Sequence, residues 1–242
     1  MDYLKSFNWL NWYGGKFSTS QNRGVFMDQA LELLPADYWR WRLTAYGPEH
    51  SDSAFTWEDF QASTNKDLAD VLGNFVNRIV KFAESKFDGV VPEGGEPGEL
   101  EQRLAQDVAA GVAEATAAFE AMEFRKACTA LRAVWVLGNE YLQVAAPWTA
   151  LKTDRDRAAV GVRTGLNLVA LFARLAAPVM PFTAGKIAAT VGSQDLSWPA
   201  PDASLFDRVP AGQAVHAPEV LFKKIEDAQV ADWSERFGGA EA

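Results

Sequence analysis

The chain has 242 residues, 48% hydrophobic and 23% charged, which suffices for one large globular domain or two small ones. Its formal net charge of −9 argues against binding nucleic acid through a broad basic surface, because phosphate neutralisation supplies much of such affinity. No apolar run predicts a bilayer span and no leader opens the chain; one cysteine and two histidines exclude a disulfide framework and a structural zinc site. We therefore expect a cytoplasmic protein that binds no metal, membrane or DNA.

Residues 1–65 are rich in aromatic side chains and turns, and they predict a small segment of mixed structure. An aromatic run from Tyr3 to Tyr13 precedes a glycine turn, a short helical pattern ends at Pro35, and another surrounds Trp39. Residues 55–57 alternate as a brief strand does. The aromatic run would be exposed without a neighbouring domain, so we expect it to contact a partner protein or a second copy of this chain.

Residues 66–192 carry helical periodicity and predict a helical bundle. Four apolar stripes follow the i, i+3, i+4, i+7 spacing of a buried helix face, and their limits are Leu68–Phe82, Leu100–Phe119, Phe124–Leu142 and Val162–Phe172. A shorter helix is predicted from Pro181 to about Val191. Long amphipathic helices joined by short links favour an up-and-down bundle, so the predicted fold class is mainly α.

Residues 193–242 predict an irregular tail and a C-terminal helix that packs back on the body. The stretch from Ser193 to Pro218 is rich in Pro, Asp and Ala. The apolar residues of the last helix are Leu221, Phe222, Ile225, Val230 and Trp233.

Three local patterns contain residues that could bind a ligand, although each also has an ordinary structural explanation. The turn Gly14–Gly15 leads into Lys16, Phe17, Ser18, Thr19 and Ser20, which suits an anion but departs from the P-loop pattern and equally fits a polar turn. Asn74 and Arg78 lie four residues apart on one helix face, where they could bond base edges or simply face solvent.

The third pattern is Asn139 and Tyr141 near a helix end, followed by Pro147 and Trp148. Proline fixes the backbone while tryptophan offers a broad face on which an unpaired base can stack. A tryptophan after a helix is also a common core residue.

Taken together, these patterns resemble the methionyl-tRNA synthetases, class I enzymes that join methionine to its tRNA. Residues 16–20 resemble the class signature loop, whose pattern is Lys-Met-Ser-Lys-Ser, with Thr19 in place of the second lysine. Residues 22–26, 34–41 and 51–58 resemble the stem-contact region that follows that loop, and residues 221–227 resemble the family's closing helix. The likeness covers nearly the whole chain from about Asn11.

The resemblance implies an anticodon site for methionine tRNA, with its CAU anticodon, at Asn74, Arg78, Asn139, Tyr141, Pro147 and Trp148. It also implies that Lys16, Phe17, Ser18, Thr19 and Ser20 form the loop that contacts ATP in the family. The catalytic Rossmann domain should precede that loop, and only about fourteen residues stand there. We therefore expect no catalytic residue, and no binding of ATP or methionine unless a catalytic domain is present. The loop is then a relic or a contact to the tRNA stem.

Three interpretations of the chain stay open at this level. It is a free-standing tRNA-binding paralogue, or the C-terminal part of an active methionine–tRNA ligase whose catalytic half is supplied elsewhere, or a helical interaction module that no longer binds RNA. The acidic net charge favours the last interpretation and the matched motifs favour the first two.

Overall fold

The computed structural model describes residues 4–200 and 208–238. It begins with β1 (Leu10–Trp12), which pairs in parallel with β2 (Ser53–Phe55), Leu10 lying opposite Ser53. The connection between the strands contains α1 (Met27–Leu33) and α2 (Ala36–Tyr46). A parallel pair requires such a crossover because a tight turn can join only antiparallel strands. The predicted segment of mixed structure thus contains a small two-stranded sheet with two helices in its connection.

A continuous helical run follows over residues 57–86. It consists of α3 (Trp57–Thr64), a π-helical segment (Asn65–Gly73) and α4 (Asn74–Lys86). Thr56 caps the start of the run, where its hydroxyl accepts a hydrogen bond from the Asp59 amide at 3.1 Å. Residues 55–57, predicted to be a strand, therefore divide: Phe55 ends β2 and Trp57 begins α3. The proposed division between residues 65 and 66 falls inside this helical run and stays a prediction.

Helices build the bundle after a loop at residues 90–98. They are α5 (Glu99–Glu120), α6 (Phe124–Ala145), the short α7 (Pro147–Ala150), α8 (Arg155–Ala176) and α9 (Pro181–Thr190). Glycines let the central helices approach closely. A Cβ at Gly138 of α6 would lie 2.8 Å from the ring of Phe172, and one at Gly165 of α8 would lie 2.7 Å from Ile79. The mainly α class predicted from the periodicity is confirmed.

The hydrophobic centre of the bundle is α8. Contrary to the expectation from sequence, this 22-residue helix is long and apolar enough, by length and composition, to span a membrane. The protein itself buries 94% of its most apolar window. A helix that is apolar all round is equally suited to a protein core, and here α4, α6, α7 and α9 cover it.

The C-terminal helix begins later than its apolar pattern predicts. It is α10 (Asp227–Phe237), whereas residues 221–226 form neither helix nor strand, so the predicted helical form of the closing segment is wrong for residues 221–226. The backbone of Ile225 is bonded to a side chain instead: its amide donates to Asn65 Oδ1 at 2.8 Å and its carbonyl accepts from Asn65 Nδ2 at 2.9 Å. Residues 193–200 and 208–218 form neither helix nor strand, as expected, and residues 201–207 lie outside the described residues.

A cluster of aromatic rings joins the small sheet to α10. Trp12 stacks on Phe55, and Trp57 contacts Trp233 with ring centroids 4.9 Å apart. Trp12 is buried, although the sequence suggested an exposed aromatic run from Tyr3 to Tyr13. Leu4, Phe7 and Trp9 of that run are exposed, and Tyr3 lies outside the described residues.

Candidate nucleic-acid interface

Asn74 and Arg78 lie one turn apart at the start of α4. The opposite face of the helix is anchored in the core by Phe75 and Ile79, which are fully buried. Asn74 is exposed, and its side chain forms no hydrogen bond to another described residue. Arg78 is half-buried and forms no ion pair within the same residues. Both side chains therefore keep hydrogen-bonding groups available on a rigid helix.

Trp148 is brought to this face by the connection between α6 and α8. Ala146 ends α6 in the left-handed conformation with φ of 37°, and the buried Pro147 begins α7. Pro147 also lies close to α8, since a Cβ at Gly161 would be 3.4 Å from Cβ of Pro147. The backbone that carries Trp148 is thus fixed on both sides.

Arg78 and Trp148 meet directly. The Cζ atom of Arg78 lies 4.6 Å from the centroid of the Trp148 ring, and the Phe82 ring packs edge-to-face on the same tryptophan. A guanidinium over an indole face forms a cation–π contact that leaves its in-plane N–H groups free to donate. The structure therefore brings together Arg78, Trp148 and Pro147 as the sequence suggested, with Asn74 one turn away.

Asn139 lies behind this surface, in the contact between α6 and the π-helical segment. Its Nδ2 donates to the carbonyl of Val71 at 3.1 Å and to that of Trp135 at 3.0 Å. Val71 belongs to the π-helical segment that leads into Asn74. Asn139 is thus placed to position the start of α4.

Tyr141 faces the interior of the bundle. Its side chain is 3% exposed, and its hydroxyl donates to Glu101 of α5 at 2.7 Å. Burial, above all, raises the pKa of the Tyr141 hydroxyl above its ordinary value of 10.0. In this conformation Tyr141 offers no group to a nucleotide on the surface, so only a supporting role is available to it.

Glu101 is the acceptor that holds this part of the bundle together. It also accepts from Arg157 of α8 and from the Gly98 amide, both at 2.9 Å. Burial acts to raise the pKa of the Glu101 carboxyl, but hydrogen bonds from Arg157, Tyr141 and Gly98 outweigh burial and hold the pKa below its usual value. A single carboxylate thereby joins α5, α6 and α8.

The loop that resembles the class signature lies elsewhere in the fold. Lys16, Thr19 and Ser20 are exposed, Phe17 packs on Trp12, and the Ser18 amide donates to Arg23 at 2.9 Å. Residues beyond the loop are tied to α10, because the Gly24 amide donates to the carbonyl of Phe237 at 3.0 Å. Within residues 4–200 and 208–238, no hydrogen bond or ring contact joins residues 16–20 to α4, α6 or α7. The structure therefore does not bring the loop and Trp148 together.

Two features near Asn74 were not expected from the sequence. Phe82 was assigned to the apolar stripe that faces the core, yet its ring also supports Trp148. Its spacing of four residues from Arg78 could have predicted that it lies on the same helix face as Arg78. An open groove of about 420 Å³ runs beside Asn74, lined by Asp70, Gly73, Asn77, residues 220–222 and Lys224. No sequence pattern linked α4 to that distant segment.

In the described part of the chain, no three carboxylate, thiol or imidazole side chains lie close enough together to hold a metal ion. Cys128 is buried in α6, and burial raises the pKa of its thiol to about 12. The interface described above is therefore the principal candidate for function.

Comparison with known proteins identifies the family to which the chain belongs. Residues 1–80 match a family model described as tRNA synthetases class I (M), and residues 91–242 match one described as the anticodon-binding domain of methionyl tRNA ligase. Both the fold and these matches place the chain among the class I tRNA synthetases.

The curated relatives are named methionine–tRNA ligases. The chain is 63% identical to the protein of Caulobacter sp. (strain K31) over 100% of its own length, and 60% identical to that of Maricaulis maris (strain MCS10) over 99%. The Mycobacterium tuberculosis methionyl-tRNA synthetase in complex with methionyl-adenylate superposes with a TM-score of 0.78 at 27% identity, over 90% of this chain. The chain belongs to the methionyl-tRNA synthetase family, and it spans 43% of the length of each of these proteins.

Proposed function

We propose that this chain binds methionine tRNA in the cytoplasm and recognises its CAU anticodon at the surface formed by Asn74, Arg78 and Trp148. The observation that supports this most is the fixed contact of the Arg78 guanidinium with the Trp148 ring, beside an exposed amide. The family match to an anticodon-binding domain supports the same assignment.

In this proposal, Trp148 stacks on an extruded base while Arg78 and Asn74 bond base edges. Stacking of a base on an aromatic side chain contributes about 1–3 kcal/mol, and a good base-edge contact discriminates by a similar amount. Such contacts need few phosphates, which is consistent with a chain of net charge −9. Pro147, Asn139 and Tyr141 position these groups without touching the RNA.

Gel-shift or filter binding of the chain to methionine tRNA tests the proposal. We expect Trp148→Ala to weaken binding about tenfold or more, because the stacking energy is lost. Arg78→Ala and Asn74→Ala should reduce the preference for CAU over a scrambled anticodon. Arg103→Ala removes an exposed arginine of α5 and serves as the matched control. Equal affinity of the parent for CAU and scrambled anticodons would rule out anticodon recognition.

The names of the relatives favour a second, wider role as part of a methionine–tRNA ligase. We propose that ATP and methionine are bound only when a catalytic half is present, and that Lys16, Phe17, Ser18, Thr19 and Ser20 have no role in RNA binding alone. Complementation of the chain with a catalytic half supplied in trans tests this role. Restored aminoacylation supports the ligase interpretation, and its absence with retained tRNA binding supports a free-standing binding protein.

A further inference from the structure

A row of three aromatic rings with an arginine at each end extends beyond the proposed anticodon surface. Arg78 lies over Trp148, Trp148 contacts Phe82, and the Phe82 and Phe87 rings are 6.1 Å apart. At the far end the Cζ atom of Arg155 lies 4.9 Å from the centroid of the Phe87 ring. We call these five residues the cation–aromatic row. Its Arg155 end has no part in the function proposed above.

The local sequence accounts for the direction of the row. Arg78 and Phe82 lie four residues apart and therefore share one face of α4. Phe87 follows the last residue of that helix. Trp148 lies on α7 and Arg155 is the first residue of α8, so the connection between these helices runs beside α4. The row thus leads from the proposed stacking site to the end of α4.

Several cations on the elements that carry the row have no carboxylate partner in the described parts of the chain. Among the residues that the structure describes, Lys81, Lys86, Lys152 and Arg155 form no ion pair. Lys152 is exposed in the turn between Trp148 and Arg155. Unpaired cations gathered beside an aromatic platform, in a chain of net charge −9, are typical of a surface that follows single-stranded nucleic acid.

Arg155 is held in a way that suits phosphate better than a base. Phe87 is buried, so its ring supports the guanidinium and offers no free face for stacking. The stacked guanidinium keeps its in-plane N–H groups for an acceptor. Asp88, Glu93 and Asp156 line the cleft next to Arg155, and their negative charge disfavours an anion inside that cleft.

We infer that the RNA strand that places a base on Trp148 continues along the cation–aromatic row, and that Arg155 and Lys152 bind a phosphate of a nucleotide next to the anticodon. This inference rests on the proposed anticodon site. It adds a contact that is independent of sequence, because phosphate contacts position a nucleic acid without identifying its bases.

Binding of anticodon stem–loop RNA to the full chain tests the inference, with stem–loops carrying CAU or a scrambled anticodon over about 0.05–0.2 M salt. We expect Arg155→Gln to weaken binding to both RNAs about fivefold and to lower the salt slope by about 0.7, the value for one lost phosphate contact on a single strand. Arg155→Lys should retain the slope because it keeps the charge. The control Arg103→Gln should bind as the parent does, and Lys152→Gln supplies a second charge removal in an exposed turn.

The outcomes separate this inference from the proposed function. If Trp148→Ala loses binding while Arg155→Gln and Lys152→Gln bind with the parent's affinity and salt slope, the phosphate contact is wrong and the anticodon site stands. If Arg155→Gln changes only the preference between the two RNAs, Arg155 contacts a base and the inference is overturned. If Trp148→Ala has no effect, the anticodon site itself fails.

Discussion

The contact of Arg78 with Trp148 keeps a charged group usable on a partly buried surface. A guanidinium is weakly hydrated and planar, so stacking on an indole face stabilises it by about 0.5–1 kcal/mol at an exposed site. Its N–H groups lie in the plane of the guanidinium and stay free for a hydrogen-bond acceptor. Arg78 is half-buried and forms no ion pair in the described parts of the chain, so nothing there competes for those donors.

Asn139 provides a test of positioning at the level of one side chain. Asn139→Ala removes the hydrogen bonds to Val71 and Trp135, so we expect the free energy of unfolding to fall by about 1 kcal/mol. The preference for CAU should fall as well, because the start of α4 loses its support. Urea denaturation and RNA binding measure the two effects.

The control for Asn139 is Asn167→Ala. Asn167 is buried in α8 and bonded to Val209, so its loss should also destabilise the protein. It should leave the preference for CAU unchanged. A loss of preference in both variants would show that the effect arises from general destabilisation.

Glu101 predicts a pH dependence of stability. Its folded pKa is below the ordinary value of 4.5, so the stabilisation it provides is full above about pH 4.5 and is lost as pH falls through the folded pKa. The difference in unfolding free energy between the parent and Glu101→Gln should therefore be largest near neutral pH and shrink in acid. Urea titrations at a series of pH values measure it, with the exposed Glu99→Gln as control. A difference that stays constant from neutral pH into acid would contradict the assignment.

At the level of elements, α10 holds the signature-like loop to the rest of the fold. Trp233 and Phe237 of α10 contact Trp57, and the Phe237 carbonyl accepts from the Gly24 amide just beyond the loop. The loop conformation therefore depends on a helix more than two hundred residues away in the chain. Packing against α10 therefore adds to the local hydrogen bonds between Ser18 and Arg23 in fixing the geometry of the loop.

Removing Trp233 tests this coupling. Trp233→Ala should lower the free energy of unfolding by about 3–5 kcal/mol, the usual cost of emptying a buried aromatic site. The Gly24 amide should also exchange its hydrogen faster, because its acceptor lies on the loosened helix. Denaturation and hydrogen exchange measure both effects, with the exposed Glu235→Ala as control. Unchanged exchange at Gly24 in a destabilised Trp233→Ala protein would separate the loop from α10.

The limits of sequence-based prediction are clear from particular elements. The apolar stripes of α5, α6 and α8 predicted these helices because each has one sustained period over many residues. The π-helical segment carries the same kind of stripe and was not distinguishable from α-helix, since its wider turn is stabilised by distant contacts such as that of Asn139. The start of α10 was misplaced because Asn65 bonds the backbone of Ile225.

The candidate site was predictable only in part. Arg78 and Trp148 were matched to the family pattern, and the structure places them in contact. The same pattern gave no means to tell that Tyr141 is buried, since its hydroxyl partner Glu101 is forty residues away in the chain. Burial depends on which helices pack together. The spacing of residues within one helix does not show this.

At the scale of the whole molecule, the exposed apolar residues near the start of the chain are unusual for an acidic protein. Leu4 and Trp9 are 81% and 77% exposed. The expectation that this segment contacts a partner protein or a second copy of the chain stays a prediction, and self-association is the case that can be measured directly. Light scattering after size exclusion should show association that rises with concentration, because burying these side chains is favourable.

Single substitutions locate the contact. Trp9→Asp should abolish the association, whereas Phe182→Asp, which changes another exposed aromatic residue on α9, should not. A parent protein that stays monomeric at high concentration would contradict self-association and leave a different partner protein as the candidate.

Periodicity and ordered motifs are local properties of the chain, so the mainly α class, the principal helices and the family likeness could be predicted from the sequence. The folded structure was needed to show that Trp148 lies under Arg78, that Asn139 and Tyr141 face inward, and that Arg155 extends the aromatic surface. These contacts join residues far apart in sequence. Their geometry follows from how α4, α6, α7 and α8 pack around one core.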